Sequence, residues 1–194
     1  ELGIQNLEGS ILENDPQRIW KKFSENYYLF RGTPTAMWLD YSFEKVFGIT
    51  ELLTPETSDL YYSQIEEKLS ELEYMPRALF DKFNIEVLST TDSALSDLSQ
   101  HIEIRNSNWD GRIIPTYRPD SVIDPQSLEF KNNLVKLGEL TNEDISSWDG
   151  YLNAHKSRRL FFKEMGATAT DHGHPTARTE NLSYNEAEQL YKLV

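Results

Sequence analysis

The chain has 194 residues, 38% hydrophobic and 26% charged, with a net charge of −13, a composition that supports a packed core and argues against disorder. The acidic balance argues against nucleic acid and anionic membrane surfaces as partners, because their phosphates would be repelled, and no stretch approaches the ~20 apolar residues that cross a bilayer. Cysteine is absent, which excludes disulfides, thiolate nucleophiles and cysteine-held metals within the chain and is compatible with a cytoplasm.

No charged-then-apolar leader is visible at the start, and the chain opens on Glu1 rather than Met, so an upstream start is expected. Residues 1–83 read as mostly helical. Asp15-Pro16 is an N-cap followed by proline at the first helical position, which opens a helix through Trp20 and Phe23. Leu29 to Leu39 contains the turn signal Arg31-Gly-Thr-Pro34 and feeds an aromatic-rich segment that ends near Phe47-Gly48. Thr54-Pro55-Glu56 repeats the proline device, and the helix after it places Tyr61, Ile65, Leu69 and Leu72 on one face.

From residue 84 the pattern changes to short apolar runs, each followed by an amphipathic stretch. Ile85 to Ser89 is the first expected strand, with Leu95, Leu98 and Ile102 on its helix. Ile113 to Tyr117 is the second, and Asp124-Pro125 caps a helix carrying Leu128, Leu134 and Val135. Thr141 to Asp144 resembles a capping box that starts a long helix to Met165. Gly166 ends that helix, Ala167 to Thr170 is the third strand, and Ser183-Tyr-Asn-Glu186 is a capping box for the last helix. The expected organisation is therefore a helical region, 1–83, followed by three β/α units, 84–194. A three-stranded parallel piece leaves open edges, so the chain is expected either to pair with a second copy as a homo-oligomer or to belong to something longer.

In parallel α/β folds the chemistry sits at the C-terminal ends of strands. Here those ends carry Asp92, Arg118, Asp120, Asp171, His172 and His174. His172-Gly-His174 has the form of a metal pair, but it reads equally as a hydrogen-bonded turn before Pro175. Arg118 can hold a carboxylate with its planar fork; the plainer reading is a salt bridge to Asp120 or a neighbouring acid. Asp92 can meet sugar hydroxyls, but capping the helix that starts near Ser93 weighs more. Arg31 in its turn serves either as a clamp or as a ligand contact. His101 is expected on a helix surface, His155 in the core or at its boundary, and Arg158-Arg159 as structural. No phosphate-binding glycine loop, G-x-S-x-G or EF-hand pattern occurs.

Phe30-Arg-Gly-Thr-Pro34, Trp38-Leu-Asp40, Val46-Phe-Gly-Ile49, Phe83 through Asp92, Arg118-Pro-Asp120 and Thr170-Asp-His-Gly-His-Pro-Thr-Ala177 together resemble, in this order, the uronate (glucuronate) isomerases. The resemblance implies an α/β fold, a partial (β/α)8 TIM barrel of the amidohydrolase superfamily with an N-terminal helical insertion. It implies interconversion of D-glucuronate with D-fructuronate, and of D-galacturonate with D-tagaturonate. It also implies a divalent metal, zinc, whose His-x-His lies before Glu1 and whose Asp-x-Arg motif lies after Val194, so that no metal ligand falls in this chain and His172 and His174 are not the family's pair. By the same resemblance Arg118 contacts the substrate and Asp171 is the active-site acid. Two other readings stay open: an amidohydrolase-like metal hydrolase, and a non-catalytic binding or scaffold piece.

Overall fold

The computed structural model describes residues 13–173 and 178–194; His174 and Pro175 lie outside them. The chain divides into two compact units, Glu1–Phe83 and Asn84–Val194. No helix among the described residues is long and apolar enough to cross a membrane.

The first unit is helical. α1 (Pro16–Glu25) starts where expected: the Asp15 carboxylate accepts from the backbone N–H groups of Gln17 and Arg18, with proline at the first turn. α2 (Pro34–Tyr41) uses the same device, with the Thr33 hydroxyl accepting from Ala36 N–H. That turn signal is thus also a helix start. A widened helical turn, Ser42–Val46, follows. α3 (Ser58–Leu69) starts later than expected, because the hydroxyls of Thr54 and Thr57 spend themselves on a local turn. Tyr61 is buried on it, but Leu69 is exposed and Leu72 lies beyond the helix, 84% exposed. α4 (Pro76–Lys82) closes the unit. The core is aromatic: Tyr27, Phe43, Ile49, Leu53 and Tyr61 are buried, with Trp20, Phe23 and Phe30 against them. Phe43 meets Tyr61 edge-on at 5.0 Å between ring centres, and Trp20 meets Phe43 edge-on at 6.1 Å, the geometries that ring quadrupoles favour.

The second unit is α/β with a short parallel sheet. β1 (Leu88–Ser93) pairs with β2 (Ile113–Arg118) in the register Leu88 to Ile113 through Ser93 to Arg118. The first strand therefore lies three residues later than its hydrophobic run suggested. The third strand shrinks to one parallel bridge between Tyr117 and Thr170. Its residues Ala167, Thr168 and Ala169 offer little apolar surface to pack, and only the Tyr117 N–H to Ala169 O and Asp171 N–H to Tyr117 O bonds join it to β2.

The helices also depart from expectation. α5 (Ser99–Arg105) begins after Leu98, which adopts a left-handed conformation, φ 55°. A short α6 (Asp120–Ile123) follows β2 directly. Asp124 then caps only a turn, accepting from Gln126 N–H, and α7 (Phe130–Thr141) buries Leu134 while Leu128 and Val135 face outward. The expected long helix is two pieces. Asn142 ends α7 in the left-handed region, φ 56°, and α8 (Trp148–Glu164) is capped by Ser147 rather than by Thr141. Asp144 closes an intervening turn through Ser146. Gly166 ends α8 at φ 95°, where a side chain would be strained. α9 (Tyr184–Tyr191) carries the full capping box of Ser183 and Glu186. The core joins Tyr117, Val122, Phe130, Leu137, Ala154 and Phe162.

Candidate active site at the strand ends

Strand alternation sorts the sheet into two chemically different faces. On one lie Thr90, Asp92, Pro115 and Tyr117, turned toward α5 and α8. Tyr117 packs edge-on against Phe162, 5.1 Å between ring centres, and its hydroxyl is 2.8 Å from Nδ1 of His155. On the other lie Ser89, Thr91, Ser93, Thr116 and Arg118 by the register of the pairing. Ser89 and Thr116 share a hydrogen bond at 2.5 Å across the strands, and Ser93 pairs with Ser121 at 3.2 Å. Ser89, Thr91 and Ser93 are exposed. This second face carries hydroxyls beside the buried Ile114 and ends in a guanidinium.

Arg118 occupies the last position of β2 because the following Pro119 disfavours helix at the residue before it. Its Nε donates to Asp120 Oδ2 at 2.5 Å and its Nη1 donates to Asp171 Oδ2 at 3.2 Å. The structure thus brings together three of the residues singled out from sequence. It also shows that the salt bridge to Asp120 exists. Hydrogen bonding from Asp120 raises the Arg118 pKa further, and hydrogen bonding from Arg118 holds the Asp120 carboxyl below its usual range. All three side chains are partly exposed, between 30% and 44%, so the pair energies are those of a wet surface and small. His172 lies in the same turn as Asp171. His174 lies outside the described residues.

Asp92 is not a helix cap. It sits inside β1, accepts from the Thr90 hydroxyl at 2.6 Å, and lies 3.8 Å from Nε2 of His101. His101 is correspondingly not a surface residue: it is buried, with Nε2 2.9 Å from the same Thr90 hydroxyl. One hydroxyl hydrogen serves one acceptor, so a Thr90 that donates to Asp92 accepts from His101 N–H. The group therefore ties α5 to β1 on the face away from Arg118. His155 is buried as expected; burial pushes its pKa down to about 4, and its Nε2 has no hydrogen-bond partner. Burial pushes the Tyr117 hydroxyl up to about 12. Arg158 is structural in a specific way: its buried guanidinium donates to the carbonyls of Ala94 at 2.8 Å and Ser96 at 2.5 Å, fixing the loop that leaves β1. Arg31 falls in the first unit, at the end of a short 3-10 turn, its backbone N–H bonded to Tyr28 O.

Sequence reasoning missed the fit of Gly173 against Asp120 and the Thr90 link. A glycine flanked by two histidines gives no hint that a carboxylate 53 residues away needs its N–H. The alternation Thr90-x-Asp92 was a readable signal that both side chains share a face.

The described residues do not fit a metal centre: among them no group of three or more His, Asp or Glu side chains is placed to hold an ion. The Asp171 carboxylate is already engaged by the Arg118 guanidinium.

Known proteins resemble this chain along nearly its whole length. The model of the glucuronate isomerase family matches residues 8–194. A uronate isomerase of Rhizobium meliloti (strain 1021) is 53% identical over 194 residues, covering 100% of this chain and 41% of that protein. One from Mesorhizobium japonicum is 50% identical with the same coverage. Among solved structures, glucuronate isomerase from Caulobacter crescentus superposes with a TM-score of 0.88 at 43% identity, covering 95% of this chain and 39% of that one. Uronate isomerase from Thermotoga maritima gives 0.83 at 28% identity, covering 91% and 39%. The chain spans about two fifths of the length of the relatives it matches. Over that span, in sequence and in fold, it belongs to the glucuronate (uronate) isomerase family.

Proposed function

We propose that these residues form part of a uronate isomerase, which interconverts D-glucuronate with D-fructuronate and D-galacturonate with D-tagaturonate, and that the two strands and their helices are a segment of a (β/α)8 barrel. The observation that carries this reading is Arg118, a fixed guanidinium at a strand end beside a face of hydroxyls, in a chain of net charge −13. A uronate presents a carboxylate and several hydroxyls. Its carboxylate needs a local cation against the acidic background, and its hydroxyls need exchangeable partners such as Ser89, Thr91 and Ser93.

Arg118 is the contact for the uronate carboxylate. Asp171, held by one N–H at 3.2 Å and 44% exposed, is free enough to give up part of that contact. It then accepts from a sugar hydroxyl and orients the C1–C2 end. Isomerisation moves a proton between C2 and C1 through an enediol-like state and needs a base, a proton donor and a stabilised oxyanion. Asp171 serves that sequence by orientation. The divalent metal, zinc, belongs to residues elsewhere in the full-length protein, and no step is assigned to it here. The same reading includes a sugar-acid substrate, a cytoplasmic location and no nucleic-acid partner.

The test is an assay of the full-length protein with D-glucuronate and D-galacturonate, following ketose formation, beside a panel of anionic amides and esters. Ketose formation that collapses in Arg118→Ala is expected. Hydrolysis without isomerisation would replace this reading by a metal hydrolase; uronate binding without turnover would leave a binding protein.

A further inference from the structure

The turn at 171–173 reaches the end of β2 through one carboxylate. Asp120 Oδ2 accepts from Arg118 Nε at 2.5 Å, and Asp120 Oδ1 accepts the backbone N–H of Gly173 at 2.9 Å. The two oxygens of a single side chain therefore serve two loops far apart in sequence. Gly173 makes this possible. A Cβ there would stand 2.9 Å from Arg118 Nη2 and 2.9 Å from Asp120 Oδ2, nearer than side-chain carbons approach such atoms. A side chain there would push the ends of the Arg118 and Asp120 side chains aside and loosen the clamp. Asp171 differs: among the described residues its side chain bonds Arg118 alone. Of the two acids on the guanidinium, Asp120 is the one built into the frame.

We propose that Asp120 is a positioning residue for the uronate site, fixing through its two oxygens both the orientation of the Arg118 fork and the turn that carries Asp171. The inference rests on reading Arg118 as the uronate contact. An arginine side chain has several rotatable bonds, and an untethered fork samples many orientations; a carboxylate on Nε stops that motion, so that Nη1, which donates to Asp171 at 3.2 Å, is the N–H a ligand carboxylate would take over. The same carboxylate sets how far Asp171 stands from the fork, because Gly173 is two residues on in the same turn. Asp120 touches no substrate in this arrangement. Its work is pre-organisation, so its loss shows in how tightly the uronate is held more than in turnover of bound substrate.

Asp120→Asn in the full-length protein keeps the shape and removes the charge. The expected result is a rise of roughly tenfold in KM for D-glucuronate, with kcat within about threefold of wild type and thermal unfolding little changed. Asp120→Glu should recover part of the KM. Gly173→Ala attacks the same clamp from the other side, should move KM in the same direction, and covers the case in which Asp120→Asn folds poorly. The double variant should be no worse than the worse single, because both break one unit. A merely structural role would lower the yield of folded enzyme and leave KM alone. Wild-type KM in folded Asp120→Asn, or in folded Gly173→Ala, overturns the role while the uronate reading stands. Wild-type enzyme that isomerises no uronate overturns that reading and the role together.

Discussion

The two units solve the same problem, burying a core, with different materials. Residues 13–83 are held by rings: Trp20, Phe23, Tyr27, Phe43 and Tyr61 contact one another, and their polar tips reach nearby groups, Trp20 Nε1 to Ser58 O at 2.8 Å and Tyr27 OH to Asp40 at 2.7 Å. Residues 84–194 have an apolar core too, but titratable side chains are buried at its edges: His101, His155 and Arg158 each tie a helix to a strand or to the loop leaving one. A ring cluster is indifferent to pH and to ligand. A polar framework is sensitive to both, and it underlies the end of the sheet where Arg118 stands. The lesson is that buried charge and imidazole mark the unit that carries the candidate site, although none of these buried groups is itself at that site.

The contrast can be broken by experiment. The largest effect is expected in the first unit: Phe43→Ala should cost about 3–5 kcal/mol of local stability, read as faster hydrogen exchange across α1 and α3 in the full-length protein. A cost under about 1 kcal/mol would mean the rings are not the core. Next, Arg118→Ala should reduce kcat/KM for uronate on the order of 100-fold, about 2.7 kcal/mol, with Arg118→Lys recovering only part because an ammonium lacks the planar fork. An unchanged kcat/KM would remove Arg118 from the site.

The third test uses pH. Burial holds the His155 imidazole neutral, with its pKa near 4 against about 6.5 for the unfolded chain. The unfolded state thus binds a proton that the fold refuses. This contribution to stability is whole above about pH 6.5, falls as pH drops through that value, and stops falling near pH 4; it amounts to about 3 kcal/mol. His155→Phe should flatten the slope of unfolding free energy in that window, and an identical slope would show that the imidazole is hydrated. The smallest effect is Asp15→Ala, about 1 kcal/mol from the lost cap of α1. A larger cost there than for Phe43→Ala would reverse the picture of the first unit.

Local chemistry was legible at several positions where one residue acts on its own neighbours, though not at Thr54, Asp124 or Thr141, whose side chains close turns or bond back within their own helix. Asp15-Pro16, Gly166 and Ser183 with Glu186 begin or end helices as their types require, because each satisfies backbone groups within a few positions. The buried place of His155 and the structural use of Arg158 followed from the helix face and helix position they occupy. The errors share one cause. The edges of β1, the break at Asn142 and the reduction of the third strand depend on which partner each backbone finds, and a hydrophobic run does not contain that information. Asp92 looked like a cap because a cap needs only the residues after it; in the fold it serves Thr90 and His101 instead.

The sequence by itself determined the helical character of the first unit, the two parallel strands with their helices, and the cluster of charge at the strand ends. These follow from periodicity, capping and alternation, which act over one turn or one pleat. The tertiary structure alone decided that Arg118 is shared by Asp120 and Asp171, that the Gly173 N–H meets Asp120, and that Thr90 joins His101 to Asp92. Those contacts join residues between 2 and 53 positions apart, and their distances are set by how β2 and the 171–173 turn close on each other. A one-dimensional pattern can show that opposite charges are available; only packing sets which of them meet.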